Sequence, residues 1–101
     1  MLIIDWLKQR KCISSYKKNA VLGKNIEFGV TGRCTNLSNN PHNIIIGDSS
    51  LIMGSLYVSE EGKIEIGDHF YLGNRSFIGS AQSIRIGKCV IISNDVKIYD
   101  N

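Results

Sequence analysis

The stretch Ile64-Glu65-Ile66-Gly67 returns 20 residues later as Ile84-Arg85-Ile86-Gly87, and it is preceded 20 residues earlier by Ile44-Ile45-Ile46-Gly47. Further aliphatic residues follow each motif at steps of six positions, namely Ile52, Leu72 and Ile92, and then Val58, Ile78 and Ile98. Six residues rotate an α-helix by more than one and a half turns, so these side chains cannot form one helical stripe. The period is typical of a solenoid in which each hexad supplies a short strand and a corner.

The repeat predicts an all-β fold, a triangular solenoid of parallel coils over residues 21–101. Equivalent aliphatic residues of successive coils should stack inside it as four ladders: Ile44/Ile64/Ile84, Ile46/Ile66/Ile86, Ile52/Leu72/Ile92 and Val58/Ile78/Ile98. Three hexads make eighteen residues, so two residues of each 20-residue unit remain for a protruding corner. We expect these corners at the polar residues 59–63 and 79–83.

The residues before the repeat predict a less regular first coil and a cap. The segment Asn25-Ile26-Glu27-Phe28-Gly29 resembles the repeated motif and should belong to the first coil. Residues 1–20 form a separate segment, in which residues 3–16 predict an amphipathic helix with Ile3, Trp6, Leu7 and Ile13 on one side. We expect this helix to cover the open end of the solenoid, with contact to a membrane surface as the alternative.

Composition limits the classes of protein to which the chain can belong. A chain of 101 residues with 43% hydrophobic and 21% charged residues predicts one folded domain. The net charge of +3 is small, and much of the positive excess lies in the first 20 residues. The body has no basic stripe with interleaved aromatics, so nucleic-acid binding is not expected. Three cysteines without CxxC spacing predict no disulfide framework and no metal site. The apolar start is too short to span a membrane, which favours a cytoplasmic protein.

Residues 44–101 resemble the hexapeptide-repeat acyltransferases, within the branch of maltose, galactoside and surface-polysaccharide O-acetyltransferases. The most similar stretch is IGKCVIISNDVKIYDN, residues 86–101. The resemblance implies a left-handed β-helix, a homotrimer, acetyl-CoA as co-substrate and a sugar or polysaccharide precursor as acceptor. It also implies a histidine as general base, which we expect after Asn101. No residue of the chain is therefore assigned as catalytic, and whether these residues alone form an enzyme stays open.

Polar residues near the later corners and the last strand are the candidates for acceptor binding under this resemblance. They are Arg75, Ser93, Asn94, Asp95, Asp100 and Asn101. His69 falls at a corner position that Ser49 and Cys89 occupy in the neighbouring coils, so the repeat requires no imidazole there. His42 lies in the irregular coil, and neither histidine is predicted to act as the base.

Two functions other than acyl transfer are also known for solenoids of this kind. A non-catalytic binding or scaffold solenoid would also lack the histidine. An ice-binding solenoid would present arrays of threonine, whereas the chain has only Thr31 and Thr35. Leu51, Tyr71 and Ile91 should stack as an apolar outer stripe, which predicts self-association.

Overall fold

The structure is a computed structural model that describes residues 3–100. It is a β-solenoid of about four turns, preceded by one α-helix, as the repeat predicted. The elements are α1 (Ile3–Asn19), β1 (Val21–Leu22), β2 (Glu27–Phe28), β3 (Cys34–Asn36), β4 (Ile44–Ile46), β5 (Leu51–Ile52), β6 (Ser55–Val58), β7 (Ile64–Ile66), β8 (Tyr71–Leu72), β9 (Phe77–Ser80), β10 (Ile84–Ile86), β11 (Ile91–Ile92) and β12 (Lys97–Asp100), with a 3-10 turn at Pro41–Asn43.

Each turn of the solenoid contributes one strand to each of three parallel sheets. We call the turns coil 1 (β1–β3), coil 2 (β4–β6), coil 3 (β7–β9) and coil 4 (β10–β12). The first sheet contains the first strand of every coil, the second sheet the second strand and the third sheet the third strand. In each sheet the strands lie side by side in the order of the coils. Ile44, Ile64 and Ile84 are paired in register, and so are Ile52, Leu72 and Ile92. The predicted ladders of the first two sheets are thus confirmed.

The predicted ladder of the third sheet is wrong for coil 2. Leu56, and not Val58, is in register with Ile78 and Ile98, while Val58 pairs with Ser80. The cause is a two-residue shift between corners. The corner after β5 has two residues where coil 3 has four, and the corner after β6 has five residues where coil 3 has three. The two changes cancel over one coil, so the 20-residue period of the first sheet conceals them.

The first coil also differs from its predicted alignment. Val21–Leu22, and not the similar segment 25–29, takes the place of the repeated motif in the first sheet, because Leu22 pairs with Ile46. Segment 25–29 instead supplies the strand of the second sheet, where Phe28 pairs with Ile52. The segment belongs to coil 1, as expected, but to the second sheet.

The core is a column of aliphatic side chains inside the coils. Ile44, Ile64, Ile52, Leu72 and Ile78 are at most 1% exposed. The places of Ile66 and Ile86 in the middle of a ladder predict that both are almost fully buried. Ile66 is 2% exposed, which confirms its prediction, but the prediction for Ile86 is wrong. Ile86 lies in coil 4, where coil 3 alone among the described coils covers it, so it is only partly buried.

The helix covers coil 1, but of the predicted side Ile13 packs against the core and the other three residues do not. Cys12 and Tyr16 are fully buried, whereas Ile3, Trp6 and Leu7 are largely exposed. The Tyr16 ring stacks on Phe28 with centroids 4.7 Å apart, and its hydroxyl donates to the Gly54 carbonyl oxygen at 2.8 Å. The docked side is therefore held by an aromatic contact and a buried hydrogen bond. Neither interaction can be inferred from the number of hydrophobic residues on a side of the helix.

Two features shape the corners of the coils. Ser49, His69 and Cys89 lie at the corner between the first and second sheets in coils 2, 3 and 4. Each has a φ of 57–59°, so this corner contains one left-handed residue that is not glycine. Glycine is required for a different reason. A Cβ on Gly47 would lie 2.6 Å from the backbone nitrogen of Asp68 in the next coil, closer than real Cβ contacts allow. Gly47 and Gly67 of the repeated motif are thus needed for close stacking on the next coil.

Candidate functional site

An aromatic groove lies on the outer face of the third sheet. Its floor is formed by Tyr57, Phe77 and Tyr99, one ring from each of coils 2, 3 and 4. The ring centroids of Tyr57 and Phe77 are 6.3 Å apart, and those of Phe77 and Tyr99 are 5.4 Å apart. The groove has a volume of about 220 Å³ and is otherwise lined by Ser59, Gly79, Ser80, Ala81 and Asp100.

The register of the third sheet explains how three rings form one floor. Tyr57, Gly79 and Tyr99 are paired across successive strands, so the middle coil has no side chain at this position. The Phe77 ring occupies the space instead, since a Cβ on Gly79 would lie 2.8 Å from Phe77 Cε1. Gly79 therefore allows the ring of Phe77 to bridge the two tyrosines.

Asp100 stands at the rim of this groove, and its carboxylate is occupied by the protein itself. Oδ1 accepts a hydrogen bond from the Ala81 backbone N–H at 2.7 Å, and Oδ2 accepts from the Ser83 N–H at 2.6 Å and the Ser80 hydroxyl at 2.9 Å. A further backbone N–H, of Gln82, donates at 3.3 Å. Partial desolvation acts to raise the pKa of Asp100, but these hydrogen bonds hold the pKa below its ordinary value. Asp100 thus fixes the corner that follows β9.

Four of the other predicted acceptor residues meet at a different corner, between the second and third sheets. The Arg75 guanidinium binds the Asp95 carboxylate through Nε at 2.7 Å and Nη2 at 3.0 Å. This bidentate hydrogen bond lowers the pKa of Asp95 and raises that of Arg75. The Asn94 side-chain oxygen accepts from the Asn74 N–H at 2.8 Å, and the Ser93 carbonyl accepts from the Ser76 hydroxyl. None of these four residues lines the groove.

The predicted site residues therefore fall into two groups. Arg75, Ser93, Asn94 and Asp95 share one corner, and their polar atoms link coil 3 to coil 4 in the way that a repeating corner requires. Asp100 lies apart from them at the groove, and Asn101 lies outside the described residues. The acceptor-binding role of each remains a prediction.

Neither histidine lies at the groove. His69 lies at the corner position expected for it, where its backbone is left-handed, and its backbone N–H donates to the Asp48 carbonyl oxygen at 2.9 Å. His42 is in the 3-10 turn, where its N–H is capped by the Asn40 side chain at 3.0 Å. Both side chains are exposed. Between residues 3 and 100, no three His, Cys, Asp or Glu side chains come together in a way that could hold a metal ion.

The groove itself was not predicted as a site. Tyr57, Phe77 and Tyr99 were not predicted to form a group. The signal was present in the spacing, since Tyr99 follows Phe77 by 22 residues and Phe77 follows Tyr57 by 20. It becomes visible only after the two-residue corner shift of coil 2 is known, because that shift sets the register of the third sheet.

Comparison with known proteins adds no assignment. No family model matches this chain, and neither a curated protein nor a solved structure matches it.

Proposed function

We propose that this solenoid belongs to an acyl-CoA-dependent O-acetyltransferase that transfers an acetyl group from acetyl-CoA to a hydroxyl of a sugar or polysaccharide precursor. The observation that carries the proposal is the in-register stacking of coils of 20 residues into three parallel sheets, which is the arrangement that hexapeptide repeats imply. In this proposal the coils wind in a left-handed sense around a triangular core. The protein is cytoplasmic, which the three free cysteines support.

The aromatic groove is the part of this surface best suited to an acceptor. Aromatic rings pack against the C–H faces of pyranose rings, and the hydroxyls and backbone groups at the rim can orient polar substituents. A small number of polar groups beside an apolar floor is the usual composition of a ligand site. We therefore place the acceptor sugar at Tyr57, Phe77 and Tyr99 and keep the corner of Arg75 as a second, more polar contact.

Chemistry at the groove needs a general base that the described residues do not supply there. The Asp100 carboxylate already accepts four hydrogen bonds, and its lowered pKa makes it a poor proton acceptor. In this proposal the base is a histidine outside residues 3–100. It would remove the proton of the sugar hydroxyl while the hydroxyl oxygen attacks the thioester carbonyl carbon, and coenzyme A leaves as the thiol.

Coenzyme A release in the presence of acetyl-CoA and candidate sugars tests the activity. The 101-residue chain should show no turnover above the uncatalysed background. If the gene continues in frame after codon 101, the longer protein should show turnover, and replacing the histidine in its additional residues should abolish that turnover. Turnover by the 101-residue chain that survives replacement of both His42 and His69 would contradict this mechanism.

Sugar binding tests the groove independently of turnover. Saturation-transfer NMR with acceptor sugars should show contact with the aromatic protons of the groove. Tyr99→Ala should weaken binding by about tenfold, because an aromatic stacking contact contributes about 0.5–1.5 kcal/mol beyond its buried area. Lys97→Ala is the matched control, since Lys97 is exposed on the same strand but does not line the groove. Equal effects of the two substitutions would remove the groove from the proposal.

The outer face of the second sheet supports a homotrimer. Leu51, Tyr71 and Ile91 are paired in register and form one apolar stripe, with Ile91 77% exposed. A stripe of this kind is typical of a surface that contacts another protein chain. Sedimentation velocity should give the mass of a trimer, and Tyr71→Lys should shift it toward the monomer. A monomer in both proteins would contradict the assembly.

A non-catalytic binding solenoid is the second candidate. The observation that favours it is the saturated carboxylate of Asp100 in a groove that no described histidine lines. Sugar binding at the groove without turnover in any extended product would select this function over acyl transfer.

A further inference from the structure

Helix α1 has two sides with different roles. One side docks on coil 1 through the buried Cys12 and Tyr16, and Gln9 adds a hydrogen bond to the Phe28 carbonyl oxygen at 3.0 Å. The opposite side carries residues at steps of three and four that are all exposed, and we call it the free stripe: Ile3, Leu7, Lys11, Ser14 and Lys18. The free stripe faces away from the solenoid.

The beginning of the helix is a cluster of uncovered apolar side chains. Ile3 is 77% exposed, Ile4 63%, and Trp6 and Leu7 49% each. The other large hydrophobic residues with high exposure in the described chain are Leu37, Ile91 and Tyr99, which lie on the solenoid. Four such side chains within five successive residues exceed what an isolated solvated helix needs. Ile3 and Leu7 belong to the free stripe, and Ile4 and Trp6 flank it, so the beginning of the helix is apolar.

The rest of the helix is strongly basic. Five basic residues and one acidic residue, Asp5, give α1 a charge of +4, whereas the whole chain carries +3. The residues outside the helix therefore sum to −1. The basic residues are Lys8, Arg10, Lys11, Lys17 and Lys18, and all five are exposed. The positive field of the protein thus originates from the element that also carries the apolar cluster.

Trp6 and Arg10 connect the apolar end to the basic part. The Arg10 guanidinium lies over the Trp6 ring, 4.9 Å from its centroid. Tryptophan is enriched where hydrocarbon meets lipid headgroups, because its ring is apolar and its N–H is polar. A guanidinium held at the indole face can contact a phosphate while the indole edge enters the hydrocarbon.

We propose that the free stripe of α1 binds the surface of an anionic phospholipid bilayer. Ile3 and Leu7 of the stripe insert at the boundary between headgroups and acyl chains, together with Trp6, which lies beside the stripe, and Lys11 and Lys18 contact the phosphates. A bilayer offers an apolar layer and an anionic layer at adjacent depths, which matches the division of the stripe. No helix within residues 3–100 is long and apolar enough to cross a membrane, so this contact is interfacial.

The docked side keeps the solenoid attached to the bound helix. Tyr16 and Cys12 face coil 1 while the free stripe faces the lipid, so both sides can be occupied at the same time. Binding then requires no unfolding and places coil 1 nearest to the membrane. This inference does not depend on the proposed acetyltransferase activity, since the two concern different surfaces.

Trp6 is the single tryptophan of the chain, so its fluorescence reports directly on the helix. The probes are vesicles of phosphatidylcholine with and without phosphatidylglycerol. Vesicles with phosphatidylglycerol should shift the emission of Trp6 to shorter wavelength and carry the protein upward in flotation, and both effects should weaken as salt rises. Phosphatidylcholine vesicles should do neither. Absence of a shift and of flotation with anionic vesicles overturns the proposal.

Matched variants separate the stripe from general charge. Replacing Lys11 and Lys18 with Gln should weaken binding to the anionic vesicles by roughly 25-fold, about fivefold for each lysine. The control replaces Lys63 and Lys97 with Gln, since both are exposed on the solenoid and the change in charge is the same. An equal loss in the control pair would show that net charge alone governs binding and would overturn the assignment to the stripe.

Two further results are decisive. Leu7→Ser should abolish the spectral shift while leaving the circular dichroism and thermal unfolding of the solenoid unchanged, because Leu7 does not belong to the docked side. A spectral shift that grows with protein concentration in the absence of vesicles would show that a second copy of the chain covers the stripe. That outcome would overturn the bilayer as its occupant.

Discussion

Replacing Ile66 with Ala removes three carbon atoms from the centre of the core. Ile66 is 2% exposed and has Ile46 on one side and Ile86 on the other in the first sheet. Losing three buried carbons costs about 2.4 kcal/mol at about 0.8 kcal/mol each. A partly collapsed cavity adds about 1–2 kcal/mol, so the free energy of unfolding should fall by about 3.4–4.4 kcal/mol. Coils on both sides hold the cavity open, which places the effect in the upper part of the usual range.

Ile86→Ala is the matched comparison, because the residue and the ladder are the same and only burial differs. Ile86 is covered by coil 3 alone among the described residues, so its replacement should cost about half as much. Urea unfolding followed by circular dichroism measures both. With a slope of about 2 kcal/mol/M, the midpoint should fall by about 2 M for Ile66→Ala. A loss below about 1 kcal/mol for Ile66→Ala, or a larger loss for Ile86→Ala, would refute the stacking described here.

Three further predictions concern the thiols, the rim carboxylate and the groove floor. Burial, with a contribution from Cys12, raises the pKa of Cys34 to about 12. In the native protein, Ellman's reagent should therefore react rapidly with the exposed Cys89 and should reach the buried Cys12 and Cys34 only after unfolding. Rapid reaction of more than one thiol in the native protein would contradict the burial of the docked side of the helix. Because the pKa of Asp100 is lowered in the folded protein, its carboxylate stabilises the fold at pH values above the ordinary carboxyl pKa of about 3.9. This stabilisation is lost as the pH falls through the lowered pKa of the folded state. Asp100→Asn should therefore make the loss of stability with falling pH less steep below about pH 4. An unchanged acid profile would show that the corner does not depend on the charge. Gly79→Ala should displace the Phe77 ring and reduce the near-ultraviolet circular dichroism of the stacked rings, and an unaltered spectrum would contradict the packing at Gly79.

The sequence predicted the first two sheets because their signal is local and repeated. Ile44, Ile64 and Ile84 each stand two residues before an isoleucine followed by glycine, and both the inward direction and the close stacking follow from that motif. The third sheet was mispredicted in coil 2 because its register depends on corner length. Val58 and Leu56 are both aliphatic and both buried, so the hydrophobic pattern alone could not choose between them.

The docking of the helix shows a second limit of pattern analysis. Hydrophobicity placed Ile3, Trp6, Leu7 and Ile13 on one side of the helix. Ile13 packs against the core, but Ile3, Trp6 and Leu7 are exposed, and the fully buried residues are Cys12 and Tyr16. Tyr16 gains an aromatic partner and a backbone acceptor that exist only after coils 1 and 2 have formed. Partners that the fold itself creates cannot be inferred from the helix sequence.

The sequence indicated several polar residues of the candidate site, but not the interactions that their side chains make. Arg75 and Asp95 were both proposed, and their spacing of 20 residues already indicated that they stack, but their ion pair was not foreseen. Asp100 was expected to face an acceptor, yet backbone N–H groups at a corner of coil 3 occupy its carboxylate. The donors are backbone N–H groups, which every residue except proline has, so the types of the neighbouring residues do not indicate these hydrogen bonds. The role of Asp100 could therefore not be predicted from the sequence.

Within residues 3–100, helix α1 covers the outer side of coil 1 and no described element covers the outer side of coil 4, so the two coils should differ in their protection against opening. In a solenoid each coil contacts only its neighbours, so opening can travel from one coil to the next. Phe28 and Cys34 in coil 1 are sealed beneath α1, whereas Ile84, Ile92 and Ile98 in coil 4 are only partly buried. Local unfolding of the 101-residue chain should therefore begin at β10–β12 and proceed toward the helix. Amide hydrogen exchange would then record a gradient along the chain, with the slowest amides in coils 2 and 3.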